Sequence, residues 1–298
     1  MKKKDFLRRD RLLRAIGKNG NFRISIVKST QIARTARERH GLSLLASVLL
    51  GRTLTGALLL ASNLKGEERI QLRMEGSGMV GSVTAEAVSN GEVRGYVTNP
   101  GAELDFHEKR SLGDGIGAGV LTVSKSLYNR ARPVSGTVAL VRGNVNEDLA
   151  HYLLQSEQIP SAVSLDVAMD ENGAVSEAGG VLIQAMPGAL KEEIDRLEEN
   201  IRNMPMIGQQ LAEGYLDDVL NKVSKGLEVK ELARYPVDFF CRCSKDRFRN
   251  SLALLDPDEL LSMKGETEEL VCHYCSSRYV FSREELDAIA QKAKVRQN

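Results

Sequence analysis

Apolar and polar residues alternate in short runs along the first two thirds of the chain, and these runs predict β-strands. In residues 21–28 (NFRISIVK), Phe22, Ile24 and Ile26 follow the period-two spacing of a half-buried strand. The pair Asn90-Gly91 separates two alternating runs, a signal that favours a hairpin turn. Similar runs predict further strands over 69–75, 79–87, 92–98, 120–126, 134–141, 161–169 and 179–186.

Helical spacing of apolar residues appears before and between these strands, over 30–64 and 147–156. Residues 42–64 are apolar over a length that could span a bilayer. Arg52 lies at the middle of this segment, where its insertion costs roughly 2.5–3.5 kcal/mol, so we expect a buried core or interface helix. Strands grouped in hairpins, with helices grouped around them, predict an α+β fold with antiparallel sheets rather than a parallel doubly wound sheet.

The pattern changes after residue 187. Leu190, Ile194, Leu197, Ile201 and Met204 form one apolar stripe on an otherwise charged helix, and a second helix is expected over 206–225. We therefore predict three parts: an α+β core domain at 1–187, an amphipathic helical linker at 188–234, and a small C-terminal domain at 235–298. Short helices are expected at 256–263 and 282–292 of the last domain, from an N-cap Asp followed by Pro and from a capping box.

All four cysteines of the chain lie in that last domain, in two close pairs. Cys241 and Cys243 form a C-x-C pair, Cys272 and Cys275 form a C-x-x-C pair, and 28 residues separate the pairs. Four thiolates in two short motifs suit a closed tetrahedral zinc site, although such a site also suits iron. A domain this small usually needs a metal or disulfides to fold, and oxidation to two local disulfides is the other use of such pairs.

The remaining sequence features limit the possible functions. A net charge of +1 gives no general basis for nucleic-acid binding, and aromatic residues make up only 5% of the chain. The basic start of the chain has no apolar run behind it, so we expect no signal peptide and a reducing, cytoplasmic location. His40, His107 and His151 are isolated and are expected to be structural, and His273 is not needed as a fifth ligand.

Three functions remain open for the cysteine pairs. A structural zinc module could bind nucleic acid constitutively, a C-x-x-C could exchange disulfides, or the zinc site could act as a redox switch. Four thiolates leave no open position for a catalytic water, and the chain has no ATP-binding P-loop, so we expect no enzyme. Five basic residues near the pairs are expected to favour thiolate and therefore oxidation: Arg242, Lys245, Arg247, Arg249 and Arg278.

The C-x-C and C-x-x-C pairs, their spacing and the three-part organisation resemble the heat shock protein 33 family of redox-regulated chaperones over the whole chain. The resemblance implies that Cys241, Cys243, Cys272 and Cys275 bind one zinc ion when reduced. It implies Cys241–Cys243 and Cys272–Cys275 disulfides, zinc release and unfolding of the linker when oxidised. It further implies a homodimer that binds unfolding client proteins without ATP. From the charge balance and from Arg52 we expect neither a nucleic-acid partner nor a membrane.

Overall fold

The computed structural model describes residues 9–104, 111–263 and 265–297, so His107 lies outside the described residues. Two compact units are present, Met1–Phe240 and Cys241–Asn298. The larger unit has the strands β1 to β11 at Arg11–Gly17, Phe22–Lys28, Arg69–Gly76, Ser82–Val88, Glu92–Val97, Gly119–Ser126, Val134–Ala139, Ser161–Met169, Val175–Ala185, Val229–Pro236 and Asp238–Phe239. Its helices α1 to α6 are Thr30–His40, Leu44–Ala61, Val145–Gln155, Lys191–Arg202, Ile207–Glu213 and Leu216–Val223.

The strands of the larger unit form two sheets. The five-stranded sheet has the order β10-β1-β2-β9-β8 and is antiparallel throughout. The six-stranded sheet has the order β11-β5-β4-β3-β6-β7 and is antiparallel except where the short β11 runs parallel to β5. The predicted α+β class with antiparallel sheets and packed helices is therefore confirmed.

Helix α2 forms the centre of the core, packed against strands of both sheets. The side chain of Ser43 caps its first turn by accepting a hydrogen bond from the Ala46 N–H at 3.0 Å. A helix that is apolar on every side has to be buried on every side. Among the described residues it is the one helix long and apolar enough to cross a membrane, and 89% of it is buried. The expected buried helix is thus observed.

The second strand differs from the half-buried strand that its alternation predicts. Ser25 and Val27 are as buried as Phe22, Ile24 and Ile26. Val27 faces the core around α2, whereas Phe22, Ile24 and Ile26 face a second cluster formed with α4, α5 and α6. The helices after residue 187 therefore cover the outer face of the five-stranded sheet, which is why this strand is buried on both sides.

The segment 188–234 is helical only in part. The single helix expected over 206–225 is two helices, α5 and α6, separated at Gly214, whose backbone is extended. The last part of the segment is not helical at all, because β10 pairs with β1 along its whole length. Neither strand was expected from the sequence, since their charged residues obscure the alternation and the pairing joins the two ends of the larger unit.

A buried carboxyl group lies at the start of α1. Asp10 accepts a hydrogen bond from the Ile32 N–H at 2.8 Å through Oδ2, whereas Oδ1 is buried with no partner among the described residues. Burial raises the pKa of Asp10 from 3.8 to about 7, although the backbone hydrogen bonds oppose this shift.

We expect Asp10→Asn to flatten the dependence of unfolding free energy on pH between 4 and 7. The native state of the unsubstituted chain keeps a proton that the unfolded state releases above about pH 4, so stability falls as pH rises towards 7. Each pKa unit corresponds to about 1.4 kcal/mol, so a few kcal/mol are at stake. Urea unfolding at several pH values measures this, and equal slopes in both proteins would contradict it.

The smaller unit combines a β-hairpin with three helices. Its helices α7 to α9 are Lys245–Leu252, Pro257–Ser262 and Arg283–Gln297, and its strands β12 and β13 are Thr267–Val271 and Arg278–Ser282. The expected caps are confirmed: Asp256 accepts from the Asp258 N–H, and Ser282 and Glu285 form a reciprocal capping box. The helix α7 and the hairpin were not expected. The unit has a small core of its own, made by Leu252, Leu260, Phe281, Leu286, Ile289 and Ala290.

Candidate metal centre

The second cysteine pair lies in the turn of the hairpin. The Cys272 N–H donates to the Ser277 carbonyl at 2.9 Å, and the Ser276 N–H donates to the Cys272 carbonyl at 2.8 Å. Ser276 has a φ of 56°, in the left-handed region, which closes the turn in the space of a few residues. This tight turn directs the Cys272 and Cys275 side chains to the same place.

The first pair lies in the extended chain just before α7, and it meets the second pair. The four sulfur atoms all lie within 4.8 Å of one another. The Sγ atoms of Cys241 and Cys272 are 3.8 Å apart, and those of Cys243 and Cys275 are 3.3 Å apart. Four sulfurs at zinc bond lengths of about 2.3 Å in a tetrahedron are separated by about 3.8 Å. The four free cysteines therefore fit a tetrahedral metal ion.

The cluster is partly shielded from solvent. Cys272 and Cys275 are buried and Cys241 and Cys243 are half-buried. The Oη atom of Tyr279 lies 3.1 Å from the Cys243 Sγ, and the Oγ atom of Ser277 lies 3.3 Å from the Cys275 Sγ. Sequence reasoning missed both hydroxyl groups. Their proximity to the cysteines in the sequence was the one available signal.

Burial and hydrogen bonding act differently on the individual thiols. Burial raises the pKa of Cys272 to about 12 and also raises that of Cys243. Burial also opposes ionisation of Cys275, but hydrogen bonds with the side chain and backbone of Ser277 bring its pKa to about 7. Without a metal, Cys275 is therefore the thiol of these three that ionises most easily.

Three of the five basic residues near the cysteines are paired with carboxylates. Lys245 is bonded to Glu285 at 2.7 Å, Arg249 contacts Asp246 and Glu285, and Arg278 is paired with Glu269 at 2.7 Å. The main causes of the thiol pKa shifts are burial, hydroxyl groups, backbone amides and neighbouring thiols. Carboxylates neutralise these three basic side chains, and none of the five basic residues is among the main causes of the thiol pKa shifts. For Arg242 and Arg247 the expectation stays a prediction.

The histidines stand apart from the cluster. Within residues 9–104, 111–263 and 265–297, the one group of side chains that could hold a metal ion consists of the four cysteines. His273, although it lies between two of them in the sequence, is not a member of this group, and neither are His40 and His151. A metal ion held by this group would therefore have four sulfur donors, a set that suits soft or borderline ions such as zinc.

Comparison with known proteins identifies the family of this chain. The family model described as Hsp33 protein matches residues 10–282. The chain belongs to the Hsp33 family. It is 40% identical to the 33 kDa chaperonin of Desulforamulus reducens, covering 95% of this chain and 98% of that protein. It is 42% identical to a 33 kDa chaperonin of Thermus thermophilus, covering 95% of this chain and 87% of that protein.

A solved structure agrees with the fold as well as with the sequence. The crystal structure of the 33 kDa chaperonin of Thermotoga maritima, a heat shock protein 33 homologue, superposes with a TM-score of 0.88 at 37% identity. The match covers 97% of this chain and 99% of that one. Both units of this Hsp33 chain thus have counterparts in a family member, and chaperone function follows from membership of the family.

Proposed function

We propose that this Hsp33 chain is a redox-regulated chaperone that holds unfolding proteins without ATP and is inactive while its cysteines are reduced. The observation that carries the proposal is the convergence of Cys241 and Cys243 with Cys272 and Cys275 within 4.8 Å. Each pair can leave the cluster by forming a local disulfide. The same four atoms therefore serve as metal ligands in one state and as redox centres in the other.

In the reduced state the four thiolates hold one zinc ion. Cys241 and Cys243 before α7 and Cys272 and Cys275 in the hairpin turn would hold the ion, which would link two segments that are far apart in the sequence. Among the described residues of the smaller unit, the apolar core cluster is small, with six buried members, and Leu254 is 84% exposed. Binding free energies of structural zinc in such modules reach about 10–16 kcal/mol, so metal binding and folding are a single process.

Oxidation removes the ligands in a balanced step. Each pair of thiolates loses two electrons as one S–S bond forms, and one molecule of peroxide takes up these electrons together with two protons from the solvent to give two molecules of water. Two molecules of peroxide convert the cluster to the Cys241–Cys243 and Cys272–Cys275 disulfides. With both disulfides formed, no thiolate would remain to hold zinc, and the smaller unit would lose its order.

The linker at 188–234 is the element that transmits this change in the proposal. Leu197 is buried, while Ile194, Ile201 and Met204 are partly buried on the outer face of the five-stranded sheet. Leu190, at the start of the stripe, is already 53% exposed. Release of the linker would expose both the stripe and the apolar sheet face beneath it to unfolding client proteins. The proposal includes homodimerisation on activation, a cytoplasmic location and no enzymatic activity.

We expect the protein to suppress aggregation of a heat-unfolded client only after treatment with peroxide at a mildly raised temperature. Light scattering of the client reports activity, a chromogenic chelator reports released zinc, and a thiol reagent counts free cysteines. The control is the same protein kept in reductant. Activity that is equal in both states would contradict the switch. Salt-dependent binding to nucleic acid with zinc retained would favour a constitutive zinc module.

Release of the linker on oxidation can be measured separately from chaperone activity. Hydrogen exchange over residues 188–234 should be slow in the reduced protein and fast after oxidation, because the apolar stripe leaves the sheet. Equal protection in both redox states would exclude linker release as the route to activity.

A further inference from the structure

The linker helices are anchored to the same sheet at both ends. The chain enters them from β9 and leaves them into β10, and both strands belong to the five-stranded sheet. Pairing of β10 with β1 extends from Gly17 opposite Val229 to Arg11 opposite Pro236. A side chain on β10 that contacts α6 therefore does so from a strand that is held in the sheet.

Apolar packing holds these helices on the outer face of the five-stranded sheet, but it is non-directional and does not fix their exact position. Directional polar contacts from the sheet strands, and from Asn21 just before β2, add to it at each helix. One of them joins two charged side chains. These contacts are Asn21 Nδ2 to Glu193 Oε2 at 2.9 Å, the Gly208 N–H to Asp166 Oδ2 at 3.0 Å, Lys28 Nζ to the Leu211 carbonyl at 3.1 Å, and Arg234 to Asp217.

The contact between Arg234 and Asp217 has the geometry of a strong ion pair. Arg234 donates from Nη1 to Asp217 Oδ2 at 2.9 Å and from Nη2 to Asp217 Oδ1 at 2.5 Å. Such a bidentate pair fixes orientation as well as distance. Glu231, three residues earlier on the same strand, accepts from Nε at 3.1 Å and from Nη2 at 2.8 Å, which holds the guanidinium in place.

The position of Asp217 at the start of α6 further stabilises its charged form. Asp217 lies in the first turn of α6, where the helix dipole also stabilises a carboxylate. The hydrogen bonds to Arg234 lower the pKa of Asp217, and the hydrogen bonds to Asp217 and Glu231 raise the pKa of Arg234. Both groups therefore stay charged over the range of pH in which the protein works.

We propose that the Arg234–Asp217 ion pair is a clamp that holds α6 of the linker on the core sheet, and that it sets how readily the linker opens when the cysteines are oxidised. The second half of this proposal rests on the proposed redox function, whereas the first half concerns the reduced protein alone. Arg234 and Asp217 are positioning residues and are not expected to contact clients.

The clamp is partly exposed, so its effect is moderate and depends on salt. The side chains of Arg234 and Asp217 are 28% and 49% exposed. Breaking an exposed but bidentate pair should accelerate opening of α6 by about three- to tenfold. The acceleration should shrink at high ionic strength, because salt screens the pair in the intact protein.

Hydrogen exchange of the Leu216–Val223 amides in the reduced, zinc-loaded protein tests the clamp. Asp217→Ala and Arg234→Ala should each accelerate exchange about three- to tenfold, and the double variant should exchange no faster than the faster single one. Glu231→Ala is the matched control, because it removes a carboxylate that contacts the same guanidinium from β10 and leaves the contact with α6 in place. Additive effects, no acceleration, or an equal effect of Glu231→Ala would overturn the clamp.

The rate of activation by peroxide distinguishes this proposal from the proposed function. If both hold, Asp217→Ala should shorten the half-time of activation by a similar factor while zinc is released at an unchanged rate. Faster exchange in a protein that peroxide never activates would support the clamp and contradict the redox function. Normal activation with unchanged exchange and an unchanged half-time would support the redox function and contradict the clamp.

Discussion

Cys272→Ser is expected to abolish metal binding and to unfold the smaller unit while the larger unit stays folded. A serine hydroxyl does not ionise at neutral pH, so it cannot replace a thiolate ligand. The side chain is nearly the same size, and Cys272 is 7% exposed, so the change acts through lost coordination rather than through packing. Most of the free energy that links metal binding to folding, about 10–16 kcal/mol in zinc modules, should be lost.

Metal content and hydrogen exchange check this expectation together. The variant purified in reductant should carry essentially no zinc, and the amides of β12, β13 and α9 should exchange rapidly, whereas those of α2 stay protected. Ser277→Ala is the matched control, because it removes the hydroxyl 3.3 Å from the Cys275 Sγ and keeps all four sulfurs. Full zinc stoichiometry in Cys272→Ser would refute the ligand assignment.

Val219→Asp is expected to make the chaperone active without oxidation. Val219 is fully buried in α6 and belongs to the cluster formed with Phe22, Ile24 and Ile26 of the sheet. An unpaired carboxylate at this position costs roughly 3–5 kcal/mol if it stays buried. The helix can avoid that cost by leaving the sheet, which exposes the apolar face that oxidation exposes in the proposed mechanism.

Aggregation assays in reductant measure the effect of Val219→Asp. The variant should suppress client aggregation while its zinc content stays unchanged, because the cysteine cluster is intact. Asn221→Asp adds the same charge to an exposed position two residues later and should still need peroxide. Protection of α2 against exchange confirms that the core is folded. A Val219→Asp protein that still depends on peroxide would show that release of α6 is not what activates the chaperone.

The cysteine site was predictable because its information is local. C-x-C and C-x-x-C pairs bring two sulfurs together within a single turn each, whatever the rest of the fold does. The predicted set of four is the set that converges in the structure. The surrounding electrostatics were not predictable in the same way. Carboxylates supplied by α7, α9 and β12 neutralise Lys245, Arg249 and Arg278, and a list of nearby basic residues does not show this.

Most strands and helices of the core were also predictable, because burial on one side leaves a periodic pattern in the sequence. The predictions failed where the alternation of apolar and polar residues was weak, or where packing on both faces of a strand removed the difference in burial between them. Strand β2 is buried on both faces by α2 and by the linker helices, and three of the eight residues of strand β10 are charged. In each case a segment that packs against or pairs with the strand lies far away in the sequence: the helices after residue 187 for β2, and β1 for β10.

The amino-acid sequence alone determined the α+β class, the buried central helix and the four cysteines that cluster, because periodicity and short-range spacing encode these features. Only the tertiary structure decided that β10 returns to pair with β1, that the linker helices cover the outer face of the five-stranded sheet, and that Arg234 meets Asp217. These contacts join residues that are distant along the chain, and their energies depend on burial and geometry that exist only once the chain has folded.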